Sequence, residues 1–250
     1  VRGEELNRVK EVNMITALAG KAAGVQVSKN SSGMGGSAKV SIRGGRSVAG
    51  DNQPLYVIDG VPMLNSTSEQ AYSAIGGTAN AGNRDGGDGI SNLNPEDVES
   101  ISILKGAPAA ALYGSQAANG VILITTKKGN TVGRRDIHFS TGLTFEKAFS
   151  LPEMQNSYGV SDVTDSWGEK ENLTVYDNLG DFFRTGLTSI TSVSVNSGND
   201  KLQTYFSYAN TTGRGILNEN KLSKHNINLR ETAVLFNSRL KLDGNVNVMK

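Results

Sequence analysis

The chain has no cysteine among its 250 residues, which excludes disulfides and thiolate metal sites but by itself names no compartment. Histidine is almost as scarce. His138 and His225 each lie in or beside a strand candidate with no nucleophile motif around them, so both are read as polar-face residues and no enzyme activity is expected. An excess of one charge is missing too: 25 Lys plus Arg against 24 Asp plus Glu give a formal charge of +1, so there is no basic field for nucleic acid. No run reaches the roughly 18 apolar residues of a membrane helix, so any membrane span has to be built from strands. The first residues, Val1 to Glu5, lack the charged and apolar regions of a secretory signal. The glycine clusters Gly33 to Gly36 and Gly44–Gly45 are followed by neither a Gly-Lys-Ser/Thr signature nor a long helix, so they read as turns and not as phosphate loops.

Glycine itself is plentiful. Thirty glycines with a hydrophobic content of 37% suit a turn-rich β protein better than a helical bundle. The densest information lies between Ile90 and Gly129. There Asn94 can cap a helix, Pro95 fits its first position, and Glu96 and Asp97 suit its dipole. Ile101 and Ile103 then alternate with Ser100 and Ser102 as a strand, and Ala107 to Leu112 form a short helix that Gly114 can close. Val121 to Thr126 follow as an apolar β-branched run, the pattern of a strand buried on both faces.

Upstream, Ala38 to Gly44 and Pro54 to Gly60 are strand candidates that end in glycine, and Val25 to Val27 is another. Glu4 to Lys10 suggests a short helix. Asn13 can cap a second one, with Ile15, Leu18 and Ala19 on one face and Gly24 beyond its end.

From Arg135 onward the period becomes two. Ile137, Phe139, Leu143 and Phe145 share one face while His138, Ser140, Thr144 and Glu146 share the other, a half-buried strand of more than ten residues. The alternation returns at Leu202 to Tyr208, at Asn226 to Arg230 and at Leu240 to Val248, giving about five strands with Thr188 to Val195 included. In that last strand the apolar face changes between Ile190 and Val193, which predicts a bulge. Two architectures fit such strands: a transmembrane barrel, lipid outside and wet lumen inside, or a soluble β-sandwich. Length favours the barrel, since membrane strands need roughly 9 to 11 residues and soluble ones cluster near 5 or 6.

Five segments in order carry a family resemblance: Ala17 to Val27, Ser41 to Gly45, Tyr56 to Pro62, Asn94 to Gly106 and Leu112 to Gly129. Together they closely resemble the plug domain of TonB-dependent outer-membrane receptors, specifically the SusC/RagA-like nutrient importers. The expected fold is therefore an α+β plug domain with a small mixed sheet over residues 1–130, followed over 135–250 by the first antiparallel strands of a large transmembrane β-barrel. A long extracellular loop is expected at about 150–187. A barrel of this type uses an even number of strands from about 8 upward, so the chain is expected to be the N-terminal piece of a longer receptor, with a signal and an energy-coupling segment upstream.

The resemblance implies import across a bacterial outer membrane, driven by the TonB-ExbB-ExbD complex, with a SusD-like surface lipoprotein as partner and an oligosaccharide, glycan or peptide as cargo. It also implies that Arg43 and Lys105 stand where related receptors have a pair of arginines that latch plug to barrel. Lysine cannot make an arginine's two-pronged pair. The glycine-rich loops around 33–36, 44–53 and 76–89 are expected to face ligand or barrel wall, which makes Arg46, Asp51, Arg84, Asp85 and Asp88 candidates for contact, with Trp167 in the long loop. Residues 83–89 read as a structural turn, a contact loop or a weak calcium site through Asp85 and Asp88, without the spacing of an EF-hand. No other metal or cofactor is expected. The alternative function is a secreted or surface β-rich binding module, an adhesin whose later strands form the sandwich.

Overall fold

The structure, a computed structural model, describes residues 1–29, 34–45, 52–63, 65, 87–131, 133–160, 162, 164, 167–171 and 176–250. Arg46, Asp51, Arg84 and Asp85 lie outside them.

The N-terminal domain contains α1 (Gly3–Leu6), β1 (Val25–Lys29), β2 (Ala38–Ile42), β3 (Leu55–Ile58), β4 (Val61–Met63), β5 (Val98–Leu104), α2 (Ala107–Tyr113) and β6 (Val121–Thr126). β1 and β2 pair antiparallel, and a mixed sheet runs β4-β3-β6-β5 with β3 and β6 parallel. The β-branched run of β6 takes the sheet centre because both its faces find apolar cover. Ile122 and Ile124 pack with Leu6, Met14, Leu18, Val40 and Tyr56 on one side, while Val121 packs with Val57, Ala109 and Ala117 on the other.

Three expected helices are shorter than the sequence predicts, and the first, expected over Glu4 to Lys10, ends at Leu6. Asn13 accepts from the Ile15 N–H at 2.9 Å, but only one 3-10 turn, Thr16–Leu18, follows before Gly20 and Gly24 take positive φ. Asn94 caps a single 3-10 turn, Pro95–Asp97, and the chain enters β5 at once. Gly114, with φ 70°, ends α2 as expected.

Beyond residue 134 five antiparallel strands form one sheet in chain order: β7 (Arg135–Glu146), β8 (Gly186–Gly198), β9 (Leu202–Arg214), β10 (Lys221–Leu235) and β11 (Leu240–Met249). They are 10 to 15 residues long. Short turns join them except between β7 and β8, where residues 147–185 include the helix α3 (Asn178–Phe182). Directly paired residues share a face. One row, Phe139, Val193, Tyr208, Ile227 and Val248, is apolar, and the adjacent one on the opposite face, His138, Ser194, Ser207, Asn228 and Asn247, is polar.

The burial of these faces is inverted. Ile137, Phe139, Leu143 and Phe145 are 62–74% exposed, whereas Asn226, Asn228, Arg230 and Thr232 are buried beneath the N-terminal domain. A sandwich would need a second sheet over the apolar face, and among the described residues none covers it. The predicted bulge in β8 is absent. Its register runs unbroken against both neighbours, so Ile190 faces inward with Thr188 and Ser192, and Val193 faces outward. Ile190 is buried on the inward face, where with Ala209 it lines a cavity shared with Lys10, Pro95 and Glu96 of the N-terminal domain, so apolar side chains stand among the polar ones there.

Gly120 takes φ +97° where a Cβ would meet Ile42 Cδ1 at 2.9 Å and the Leu104 carbonyl oxygen at 3.0 Å. Replacing it with Ala is expected to cost the N-terminal domain about 1–3 kcal/mol. Thermal unfolding of the full-length protein, with the open outward position Gly244→Ala as control, checks this; equal melting curves would contradict it.

Candidate functional site: the seam between domain and wall

The turns of the N-terminal domain place acceptors against the wall. Gly89–Asn92 is a four-residue 3-10 turn, too short to use its own last carbonyls. The wall uses them instead: Lys224 Nζ donates to the Ser91 carbonyl, and Asn226 Nδ2 to that of Asn92 at 2.6 Å. One turn further, Tyr205 Oη donates to Asp97 Oδ1 at 2.9 Å. At the β7 side Lys10 Nζ bridges Glu96 and Ser140 Oγ.

Asp97 is fully buried, and that burial raises its pKa above the ordinary carboxylate value. Hydrogen bonds from Tyr205 and Asn94 and the charge of Lys127 oppose the rise without cancelling it.

The strongest cluster centres on Arg230, whose side chain is 5% exposed. Asp59 and Gly60, with φ of 48° and 88°, form the two-residue hairpin between β3 and β4. That turn holds the Asp59 carboxylate at the sheet end, where Thr126 donates to it from N and Oγ1 at 3.0 and 2.5 Å. Arg230 Nη1 reaches Asp59 Oδ2 at 2.8 Å, while Nε and Nη2 donate to the two oxygens of Asp243 on β11, both at 2.9 Å. Lys128 Nζ lies 3.5 Å from Asp243. A cavity of about 350 Å³ adjoins the cluster, lined in part by Tyr113, Leu123 and Lys128.

Glycines give the wall notches. A Cβ at Gly142 would lie 2.7 Å from Lys10 Cδ, and one at Gly213 would overlap Met34. The arrangement can hold a domain by polar contacts; among the described residues no three His, Asp or Glu side chains gather to hold a metal.

A family model for the TonB-dependent Receptor Plug Domain matches residues 1–121. TonB-dependent receptor SusC of Bacteroides thetaiotaomicron is 32% identical over an alignment covering 100% of this chain and 24% of that protein. The ferric enterobactin receptor PirA of Pseudomonas aeruginosa is 33% identical over 51% of this chain and 16% of its own length. Among solved structures, the RagAB peptide importer in its "open-open" state superposes with a TM-score of 0.77 at 25% identity, over 100% of this chain and 29% of that one. The chain belongs to the SusC/RagA-like TonB-dependent receptors. It spans about a quarter of the length of SusC.

The N-terminal domain is thus the plug and the five strands are barrel wall. The matched proteins are named as receptors, importers or transporters, not as enzymes. The fold expected from sequence, an α+β plug with a small mixed sheet and the first antiparallel barrel strands, is the fold observed.

Of the residues singled out from sequence, Arg43 and Lys105 come together. Arg43, with φ 61°, donates its backbone N–H to the Gly24 carbonyl, and Lys105 Nζ donates to that of Ala23. Among the described residues the ion pairs are those of Lys10, Lys29, Lys128, Lys221 and Arg230, and neither Arg43 nor Lys105 joins one. Asp88 is buried, its carboxylate accepting from the N–H groups of Ser91 at 2.9 Å and Ala38 at 3.2 Å. Trp167 is exposed, tilted against Tyr158 with ring centroids 5.6 Å apart. The seam residues Asp59, Asp97, Tyr205, Lys224, Arg230 and Asp243 were not predicted. The legible signals were the Asp-Gly hairpin and a lone arginine on the polar face of β10.

Because burial raises the Asp97 pKa, the folded state holds this proton more tightly than the unfolded one. The stability it lends is present below the unfolded value and is lost as pH rises through the raised one. Asp97→Asn keeps an acceptor for Tyr205 and no charge, so thermal unfolding near neutral pH is expected to be unchanged or later. Asp97→Leu, which leaves the Tyr205 hydroxyl unpaired, is expected to cost about 1–3 kcal/mol. An Asp97→Asn protein melting well below the parent would contradict this account.

Proposed function

We propose that this chain is the plug and opening wall of an outer-membrane importer, in which the plug closes the barrel lumen until energy from the TonB-ExbB-ExbD complex displaces it. One observation carries this reading: the plug sits on the polar face of a sheet whose other face is an uncovered apolar belt. Fully burying a large apolar side chain is worth about 1.5–3 kcal/mol, and these strands leave a dozen or more of them 38–74% exposed. Lipid supplies the missing cover, so an outer-membrane location follows.

The seam fits a gate. Its contacts are polar and local, a set that can be broken and remade, whereas a wholly apolar interface of this size would resemble a permanent core. The cargo is an oligosaccharide, glycan or peptide, and a SusD-like surface lipoprotein is the partner; family membership and the likeness to a peptide importer support both. The long segment between β7 and β8, with Trp167 and Tyr176 exposed, is the surface offered to partner or cargo.

The test uses the full-length gene. Its product is expected in the detergent-requiring outer-membrane fraction. Deleting it is expected to abolish growth on one oligosaccharide or peptide source, and deleting tonB is expected to do the same. A product that stays in the aqueous fraction, or uptake indifferent to tonB, would sink the import reading.

A further inference from the structure

Arg230 is held from two sides, and each side is assembled before the two meet. On the plug, Asp59 is fixed by the Thr126 N–H and hydroxyl. On the wall, Asp243 takes Nε and Nη2 as a two-pronged pair, leaving Nη1 aimed across the seam at Asp59 Oδ2. Thr232 of β10 is the direct partner of Asp243 in the ladder, so Asp243 reaches Arg230 diagonally along one face.

The charges decide what this arrangement does. Asp59 does not meet a bare guanidinium but one already neutralised by a neighbouring carboxylate. Attraction to Arg230 is opposed by repulsion from Asp243, while Lys128 of the plug, its Nζ 3.5 Å from Asp243, adds a cross-seam attraction of its own. If the plug withdraws, Arg230 keeps its two-pronged partner and Asp59 keeps Thr126, so neither charge is stranded. A buried pair without such a second partner would leave an uncompensated ion on breaking.

We propose that Asp243 is a positioning residue that sets the grip of plug on wall: it aims Arg230 at Asp59 while lowering the net pull between them, so that the contact opens and closes again. This rests on the import reading, in which the plug must leave the wall. It makes the two carboxylates on one guanidinium differ in sign. Removing Asp59 charge loosens the plug; removing Asp243 charge, once Lys128 is made neutral, tightens it.

The test is amide hydrogen exchange over β3 and β6 in the full-length receptor, purified in detergent, with heat-modifiable gel mobility confirming a folded barrel. Asp59→Asn is expected to exchange on the order of tenfold faster, the loss of one charge-assisted hydrogen bond. On a Lys128→Gln background, which removes the cross-seam pair of Lys128 with Asp243 beforehand, Asp243→Asn is expected to exchange on the order of threefold slower, since a like-charge repulsion is then what it removes. Should Asp59→Asn fail to fold, Thr126→Ala, which removes the other side-chain oxygen on Nη1, is expected to exchange faster, and adding Asp243→Asn to Thr126→Ala with Lys128→Gln to slow it. Faster exchange on adding Asp243→Asn to either background would make Asp243 merely structural and overturn the proposal. Exchange needs neither motor nor cargo, so opposite signs combined with uptake indifferent to tonB would uphold this clasp and overturn the import reading alone.

Discussion

The polar face of the wall can be buried only if something polar is laid upon it. Asn226, Asn228, Arg230 and Thr232 line β10 at successive inward positions, and all four are hidden from solvent. Burying such groups without partners would cost several kcal/mol, more for the guanidinium. The plug meets this demand at Asn226 and Arg230, while the Asn228 amide and the Thr232 hydroxyl have no hydrogen-bond partner among the described residues. Tyr205, Lys224, Asn226 and Arg230 all donate across the seam, and they find main-chain carbonyls or carboxylates of the plug. Most of the donors stand on the wall and most of the acceptors on the plug, with Lys10 to Ser140 running the other way, and this makes the two faces complementary.

The acceptors come from an economy of local structure. The short 3-10 turn at 89–92 exposes carbonyls that a longer helix would have consumed, the turn at 95–97 presents the Asp97 carboxylate, and the Asp-Gly hairpin at 59–60 lifts a carboxylate clear of the sheet. The residues that keep these helices short are therefore the ones that equip the plug to bind. The turn 95–97 also feeds directly into β5, which ties the seam to the hydrophobic core through Val98 and Ile101.

Sequence made the strands, the core and the change of period legible because each depends on near neighbours. The apolar run of β6 and the alternation of β7 could be read without knowing what lay opposite. The seam could not, because its pairs join distant parts of the chain: Asp59 and Arg230 are 171 residues apart. On its strand Arg230 looks like any solvated charge between Asn228 and Thr232. The change of face in β8 misled for the same reason. Ile190 is buried where plug and wall face each other across a shared cavity, and no local pattern announces that burial. Two of the helix lengths erred locally, where glycines at 20 and 24 and an immediate strand at 98 outweighed the caps.

The wall's notches have their own consequence. Gly142 and Gly213 stand on β7 and β9, opposite Lys10 and Met34. A Cβ at either spot would crowd the plug side chain seated there, so the missing side chains let Lys10 and Met34 nest in the strands like pegs in sockets, and plug and wall lie closer than alanine at these places would allow without a side chain bending aside.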